Sequence, residues 1–183
     1  MLYLEKLEHS IFARRLLSQS STAESQMKSL DQSDRKILHL LQKNSREKLE
    51  SIASETGLSV ATVQRRIKHF RSAGIIEQET ALISQEAAGY NMTFLIFVEM
   101  EQEKSHQLDI FRKKVTAEPQ VQQCYYITGE ADFALVVLGK DVEDFERLTH
   151  RLFFEDNNVK RFRTSVVMNR TKTGMTVPLE CEF

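Results

Sequence analysis

Basic side chains are concentrated between residues 59 and 71, where their spacing suits binding to phosphates and base edges. In this stretch Val63, Ile67 and Phe70 recur at helical spacing, which predicts a helix with one buried face. The opposite side carries Ala61, Thr62, Gln64, Arg65, Lys68 and Arg71, with Arg66 beside them and Ser59 at the helix start. Cationic side chains bind phosphate oxygens, and Arg and Gln also hydrogen-bond base edges. The pattern predicts contact with double-stranded DNA, against the alternative of a solvated basic helix face.

The elements before this helix predict that it is the second helix of a helix-turn-helix. Asp31 can cap a first helix that ends near Asn44, and another helix is predicted over residues 47–56. Gly57 suits the left-handed conformation that ends many helices, and Ser59 can cap the third helix, which is predicted to end near residue 73. Two helices joined by a tight glycine turn are typical of this DNA-binding motif.

The position of a residue along the third helix predicts its part in DNA binding. The N-terminal half of such a helix enters the major groove, so base-edge contacts are expected for Thr62, Gln64 and Arg65. Phosphate contacts are expected for Arg66, Lys68 and Arg71. Residues 28–75 contain ten Lys or Arg against five Asp or Glu, although the whole chain has a net charge of −1. This asymmetry also favours a nucleic-acid-binding first half.

The pattern changes after residue 90 to strands that alternate with helices. The predicted elements are strand 92–100, helix 104–117, strands 121–128 and 132–138, helix 142–154 and strand 162–168. This β-α-β-β-α-β order is the ferredoxin-like arrangement. Each helix has an apolar stripe that can cover one sheet face, formed by Leu108, Phe111 and Val115 in the first and by Val142, Phe145, Leu148 and Leu152 in the second. The first strand is bulky on both sides, so we expect another subunit to bury the uncovered face.

The predicted fold class is therefore α+β, with an N-terminal winged helix-turn-helix and a C-terminal ferredoxin-like βαββαβ domain. The wing is expected from the tract at residues 75–83. The predicted division is an extension with a short helix and polar linker at 1–29, the DNA-binding domain at 30–78, a hinge at 79–90, the ferredoxin-like domain at 91–172 and a tail at 173–183.

Composition excludes several other classes of protein. No apolar run approaches the roughly 20 residues that span a bilayer, and charges at Glu5, Lys6 and Glu8 interrupt the start of the chain, so we expect no membrane contact and a cytoplasmic protein. Cys124 and Cys181 are far apart and outside any metal-ligand spacing, which predicts a structural role for both. We expect no cofactor and no metal site.

Several motifs together resemble the Lrp/AsnC family of transcription regulators, which includes the leucine-responsive and asparagine ("feast or famine") regulators. The similar segments are residues 30–38, 57–59, 63–67, 74–76 and 128–133, with Thr164 in the last strand, and the resemblance spans about residues 30–179. Glu79 and Ser84-Gln85 stand where the family's wing commonly carries Tyr and Asp-Pro, which argues against wing contacts with DNA.

The resemblance implies a homodimer formed through the ferredoxin-like domains, often assembled into octamers, with an amino acid such as leucine or methionine bound between dimers. It also implies an effector site formed by Thr128, Gly129, Glu130, Asp132 and Thr164. Gly129 would allow close backbone approach, and Glu130 and Asp132 would pair with a ligand ammonium group. The alternative is a plain hairpin turn between two strands.

Two other functions are compatible with the same two-domain plan. A sirohaem-decarboxylase-like enzyme would need clustered His and Arg side chains, but the five histidines are scattered along the sequence, and nucleophile and phosphate-loop motifs are missing from it. We therefore assign no catalytic residue. An architectural protein that wraps DNA without an effector would share every DNA-binding feature, and only a response to a ligand separates it from a sensor.

Overall fold

The computed structural model describes residues 30–179, which form two compact units. Residues 30–80 and 174–179 belong to the first unit, and residues 81–173 form the second. The predicted extension at 1–29, including its short helix, lies outside the described residues. No helix among residues 30–179 is long and apolar enough to cross a membrane.

The first unit contains three helices, α1 (Gln32–Lys43), α2 (Leu49–Thr56) and α3 (Val60–Ser72). Asp31 and Asp34 form a reciprocal capping box at the start of α1. Gly57 ends α2 in the left-handed region with a φ of 68°, which a glycine adopts without steric cost. The predicted helices and their caps are confirmed, with bounds that differ by at most two residues.

The core of the first unit forms where the three apolar helix faces meet. It contains Ile37, Leu38, Ile52, Ala53, Val63, Ile67 and Phe70, all less than 9% exposed. Burial of a large aliphatic or aromatic side chain contributes about 1.5–3 kcal/mol. This core fixes which side of α3 faces outward.

The predicted wing is wrong. Residues 75–84 contain no strand, and Leu82 and Ile83 are 92% and 75% exposed. A strand is stable only when its backbone groups pair with a neighbour, and no second strand pairs with this tract within the described chain. The first unit is therefore a helix-turn-helix without a β-hairpin wing.

The second unit has the predicted ferredoxin-like topology. Its elements are β1 (Met92–Met100), α4 (Ser105–Ala117), β2 (Val121–Tyr126), β3 (Phe133–Gly139), α5 (Val142–Thr149), a π-helix (His150–Phe154) and β4 (Val159–Val166). The strand order is β2-β3-β1-β4, with antiparallel pairing throughout.

Two predicted elements of this unit need correction. The last strand begins at Val159 rather than at residue 162, because the backbone of Val159 and Arg161 pairs with that of Met100 and Glu99 on β1. The predicted helix over 142–154 is α5 followed by the π-helix, and Val142 is 65% exposed rather than part of the apolar stripe.

The two helices cover one face of the sheet and leave the other face exposed. Phe94, Ile96 and Val98 of β1 face the two helices and are at most 2% exposed. The alternate residues Leu95 and Phe97 face the other side and are 39% and 37% exposed. On the neighbouring strands this open face continues with Ala134, Val136, Leu138 and Tyr125. An apolar face of this kind remains uncovered within the described chain.

The two segments that flank the second unit are not the free connectors that the sequence suggests. In the predicted hinge, Arg170 donates to Gln85 at 2.7 Å and pairs with Glu86 at 2.9 Å, so this turn is anchored in the second unit. In the predicted tail, Val177 is hydrogen-bonded to Gln42 of α1, so residues 174–179 belong to the helical unit instead.

Candidate nucleic-acid interface and effector loop

The outward face of α3 presents three polar side chains that are free to bind a partner. Gln64, Arg65 and Lys68 are exposed, and within residues 30–179 their side chains make no hydrogen bond or ion pair. Their position follows from the core, because Val63 and Ile67 hold the opposite side of the helix at 0% and 4% exposure. A free guanidinium and a free amide on one helix face can hydrogen-bond base edges, and a free ammonium can bind a phosphate.

Arg66 has a different environment, in which its side chain is already ion-paired, and its predicted phosphate contact stays a prediction. Its guanidinium contacts the carboxylates of Asp31 and Asp34, each at 2.6 Å, and its side chain is only 24% exposed. Burial raises the pKa of Asp31, but hydrogen bonds from Arg66 and from the Asp34 amide outweigh burial and bring this pKa below its ordinary value. Arg66 therefore joins α3 to the start of α1.

Arg71 is also paired, though more weakly. Its guanidinium makes two hydrogen bonds to the Glu79 carboxylate, at 2.9 and 3.2 Å, and both side chains remain largely accessible. Exposed ion pairs of this kind contribute about 0–1 kcal/mol. A DNA phosphate could replace Glu79, but the charge of Arg71 is compensated until that happens.

The N-terminus of α3 uses two of the predicted DNA-binding residues as a cap. The Ser59 hydroxyl accepts the backbone N–H of Thr62 at 3.3 Å, and the two hydroxyls are hydrogen-bonded at 2.8 Å. Thr62 is half-buried, whereas Ala61 is exposed. Ser59 and Thr62 thus order the first turn of the helix, and their contacts with DNA stay predictions.

The predicted effector loop joins β2 to β3 and is closed by backbone hydrogen bonds. The Ile127 amide donates to the Asp132 carbonyl at 2.8 Å, and the Asp132 amide donates to the Val98 carbonyl at 2.9 Å. Gly129 has a φ of 122°, which side-chain-bearing residues rarely adopt. Thr128, Gly129 and Glu130 are all exposed at the tip of this loop.

The two acidic side chains of the loop differ in availability. One oxygen of the Asp132 carboxylate accepts the Met100 backbone N–H at 2.6 Å, so Asp132 fixes the loop to the end of β1. Glu130 is 85% exposed and pairs with Arg163 of β4 at 3.1 Å. Glu130 is therefore the accessible carboxylate, and Asp132 is mainly a positioning residue.

Thr164 lies on the same edge strand as Arg163 but points to the other side of the sheet. It is paired with Ile96, whose side chain faces the helices, whereas Arg163 is paired with Phe97 on the open face. The ion pair between Glu130 and Arg163 connects the loop to β4 on the open side. Loop and strand are thereby linked, but through Arg163 rather than through Thr164.

A cleft of about 550 Å³ lies beside the end of β1 in the second unit. Its lining consists of Glu101, Gln102, Gln107, Ile110, Lys114, Glu155, Asp156, Asn157 and Asn158. None of the predicted effector residues lines this cleft. Among the described residues, no three His, Cys, Asp or Glu side chains form a group that could hold a metal ion.

Sequence reasoning missed the partners that decide these roles. Asp31 is predicted only as a helix cap and Asp34 has no predicted role, although an acidic pair three residues apart can also accept hydrogen bonds from a guanidinium. Arg163 stands next to Thr164, but Lys160 and Arg161 in the same strand are also charged, so the sequence does not single it out. The pairing of Asp132 with the Met100 backbone has no sequence signal.

Comparisons with known proteins match both units. Residues 30–71 match the family model of the AsnC-type helix-turn-helix domain, and residues 93–177 match that of the Lrp/AsnC ligand-binding domain. The chain is 40% identical to an uncharacterized HTH-type transcriptional regulator of Sinorhizobium fredii, over 82% of this chain and 89% of that protein. It is 34% identical to another from Haemophilus influenzae, over 84% and 91% of the two chains.

Solved structures have the same architecture. A transcriptional regulator of Neisseria meningitidis in complex with L-methionine superimposes with a TM-score of 0.78 and 28% identity, covering 82% of this chain and 97% of that one. The feast or famine regulatory protein of M. tuberculosis complexed with L-methionine gives a TM-score of 0.73 and 26% identity, covering 81% and 99%. The chain belongs to the Lrp/AsnC family of DNA-binding transcriptional regulators, with an AsnC-type helix-turn-helix and a ligand-binding domain.

Proposed function

We propose that this protein binds specific DNA sequences through Gln64, Arg65 and Lys68 on α3. The observation that carries the proposal is that these side chains are exposed and have no partner among residues 30–179, while their neighbours Arg66 and Thr62 are half-buried and hydrogen-bonded to other residues of the unit. Gln64 and Arg65 are the candidates for base edges, and Lys68 is the candidate for a phosphate. Arg71 joins them only where DNA displaces Glu79.

The effector in this proposal is an amino acid, and the regulated genes concern amino-acid metabolism. Two relatives in the family carry L-methionine in their solved structures, which supports methionine as the first ligand to test. The exposed Glu130 carboxylate supplies a partner for the ligand ammonium, and the missing side chain at Gly129 allows the ligand to approach the backbone closely.

The proposal also includes a homodimer that buries the open sheet face, and assembly of such dimers into octamers. Leu95, Phe97 and Tyr125 on that face are 37–51% exposed in the single chain. Removing apolar area of this kind from water contributes about 25 cal/mol per Å². A DNA-binding regulator works where the DNA is, so the proposed compartment is the cytoplasm.

Fluorescence anisotropy on the protein's own upstream DNA tests the proposal. The titration is repeated with a random duplex, at two salt concentrations, and with and without L-methionine and a mixture of the other amino acids. We expect tight, sequence-selective and salt-sensitive binding that an amino acid alters. Selective binding without any amino-acid response would favour an architectural protein, and equal affinity for random DNA would contradict sequence-specific regulation.

A further inference from the structure

The C-terminal segment at residues 174–179 closes on the helical unit through a reciprocal pair of hydrogen bonds. The side-chain amide of Gln42 donates to the Val177 carbonyl at 3.1 Å, and its oxygen accepts the Val177 backbone N–H at 2.7 Å. An amide side chain thus pairs with a backbone amide as a neighbouring strand would. Leu179 packs, partly buried, against the core of the same unit.

This contact acts on α1, the helix that also holds the DNA-binding helix. Gln42 lies in the last turn of α1, whereas Asp31 and Asp34 at its start bind Arg66 of α3. One end of α1 is therefore joined to α3, and the other end is joined to the C-terminal segment. The family's ligand-binding domain match runs to residue 177, but the contacts assign residues 174–179 to the helical unit.

The helical unit is formed by two separate parts of the chain. Residues 81–173 are inserted between two parts of the helical unit, so two chain connections join the second unit to the first. We propose that residues 174–179 are a latch on α1, and that the DNA-binding unit needs the closed latch for its full DNA affinity. The latch itself rests only on the contacts above, whereas its effect on affinity rests on the proposed function.

Hydrogen–deuterium exchange at the Val177 amide tests whether the latch closes. In the full-length protein this amide is bound to Gln42, so its exchange is expected to be slower than that of a free peptide. Gln42→Ala removes both hydrogen bonds and should accelerate exchange about fivefold to tenfold. Gln42 is exposed, so the variant should fold. Gln78→Ala, at an exposed glutamine of the same unit, is the matched control and should leave the rate unchanged.

The DNA affinity of the same Gln42→Ala variant tests whether the latch affects DNA binding. We expect its affinity to fall about threefold to tenfold, with the Gln78→Ala control binding like the wild type. Equal Val177 exchange in the wild type and Gln42→Ala would overturn the latch. Faster Val177 exchange in Gln42→Ala with unchanged DNA affinity would overturn the role of the latch in DNA binding. A wild-type protein without preference for its own DNA would contradict the proposed function, while the exchange result would still decide the latch.

Discussion

The outer face of α3 and the loop between β2 and β3 are both candidate binding surfaces, but they differ in how far their polar groups are already engaged. On α3, Gln64, Arg65 and Lys68 have no partner within the described chain. In the loop, Asp132 accepts a backbone N–H and Glu130 pairs with Arg163. The helix face is ready to bind, whereas a ligand at the loop must compete with existing contacts.

This difference separates residues that contact a partner from residues that hold the surface in place. Arg65 and Arg66 are adjacent in sequence, but the first has no partner among the described residues and the second is ion-paired with two carboxylates. Glu130 and Asp132 form a similar pair in the loop. Substitution of Arg65 or Glu130 should therefore mainly change binding. Substitution of Arg66 or Asp132 should mainly change stability.

The largest effect is expected from Arg65→Ala. Loss of a base-edge contact should weaken specific DNA binding by about 1–3 kcal/mol and relax sequence preference at one position. Because Arg65 has no partner within residues 30–179, the melting temperature should stay within about 1 °C of the wild type. Anisotropy on upstream and random DNA, with thermal melts, measures both. Unchanged affinity for upstream DNA would count against this contact.

Arg66→Ala should act on stability instead. Removing the guanidinium leaves the Asp31 and Asp34 carboxylates without their cation, and we expect a loss of about 1–2 kcal/mol in the free energy of unfolding of the helical unit. Chemical denaturation followed by circular dichroism measures it. A variant as stable as the wild type would show that the ion pair contributes nothing.

An acid titration sharpens the same prediction. The pKa of Asp31 is lower in the folded protein than its ordinary value, so this contribution is present near neutral pH and is lost as the pH falls through the lowered value. The stability difference between the wild type and Arg66→Ala should therefore shrink at low pH. A difference that stays constant down to pH 2 would contradict the assignment.

Asp132→Ala should destabilise the second unit by about 1 kcal/mol, because the Met100 amide loses its acceptor. The melting temperature checks this value, and Asp132→Asn, which retains an acceptor oxygen, is the control and should lose less. The DNA affinity of Asp132→Ala should also change less than that of the wild type when an amino acid is added. If both stability and amino-acid response match the wild type, the loop does not have the proposed role.

The smallest stability change is expected for Glu130→Gln. The ion pair with Arg163 is exposed, so its loss should cost about 0.5 kcal/mol or less. The amino-acid response should nevertheless weaken if Glu130 binds the ligand ammonium, and titration calorimetry with L-methionine measures this. Identical ligand affinity in the variant would exclude Glu130 as the ammonium partner.

Elements with a strong local pattern could be predicted from sequence. The third helix has a cap at Ser59 and an apolar stripe at Val63, Ile67 and Phe70, so its bounds follow from neighbouring residues. The strand over Met92–Met100 was also predicted to the residue, because its apolar run ends at polar residues on both sides. Local periodicity and capping were thus sufficient to predict most of the helices and strands.

Features that depend on distant partners could not be predicted. Arg66 looks like any other basic residue of α3, and only the folded unit brings it to Asp31, 35 residues earlier. The contact between Gln42 and Val177 spans 135 residues and involves a backbone group, so side-chain chemistry gives no signal for it. The tract at 75–83 has strand-forming residues, but a wing also needs a pairing strand.

The central claim is that the free face of α3, and not its engaged residues, binds DNA, and a salt titration of DNA affinity tests it most directly. The wild type, Lys68→Ala and Arg66→Gln are compared on upstream DNA from low to high salt, because each substitution removes one positive charge. If Lys68 holds a phosphate and Arg66 does not, Lys68→Ala should reduce the slope of log affinity against log salt by about 0.9, while Arg66→Gln leaves it unchanged. A slope that falls for Arg66→Gln and stays constant for Lys68→Ala would contradict the account.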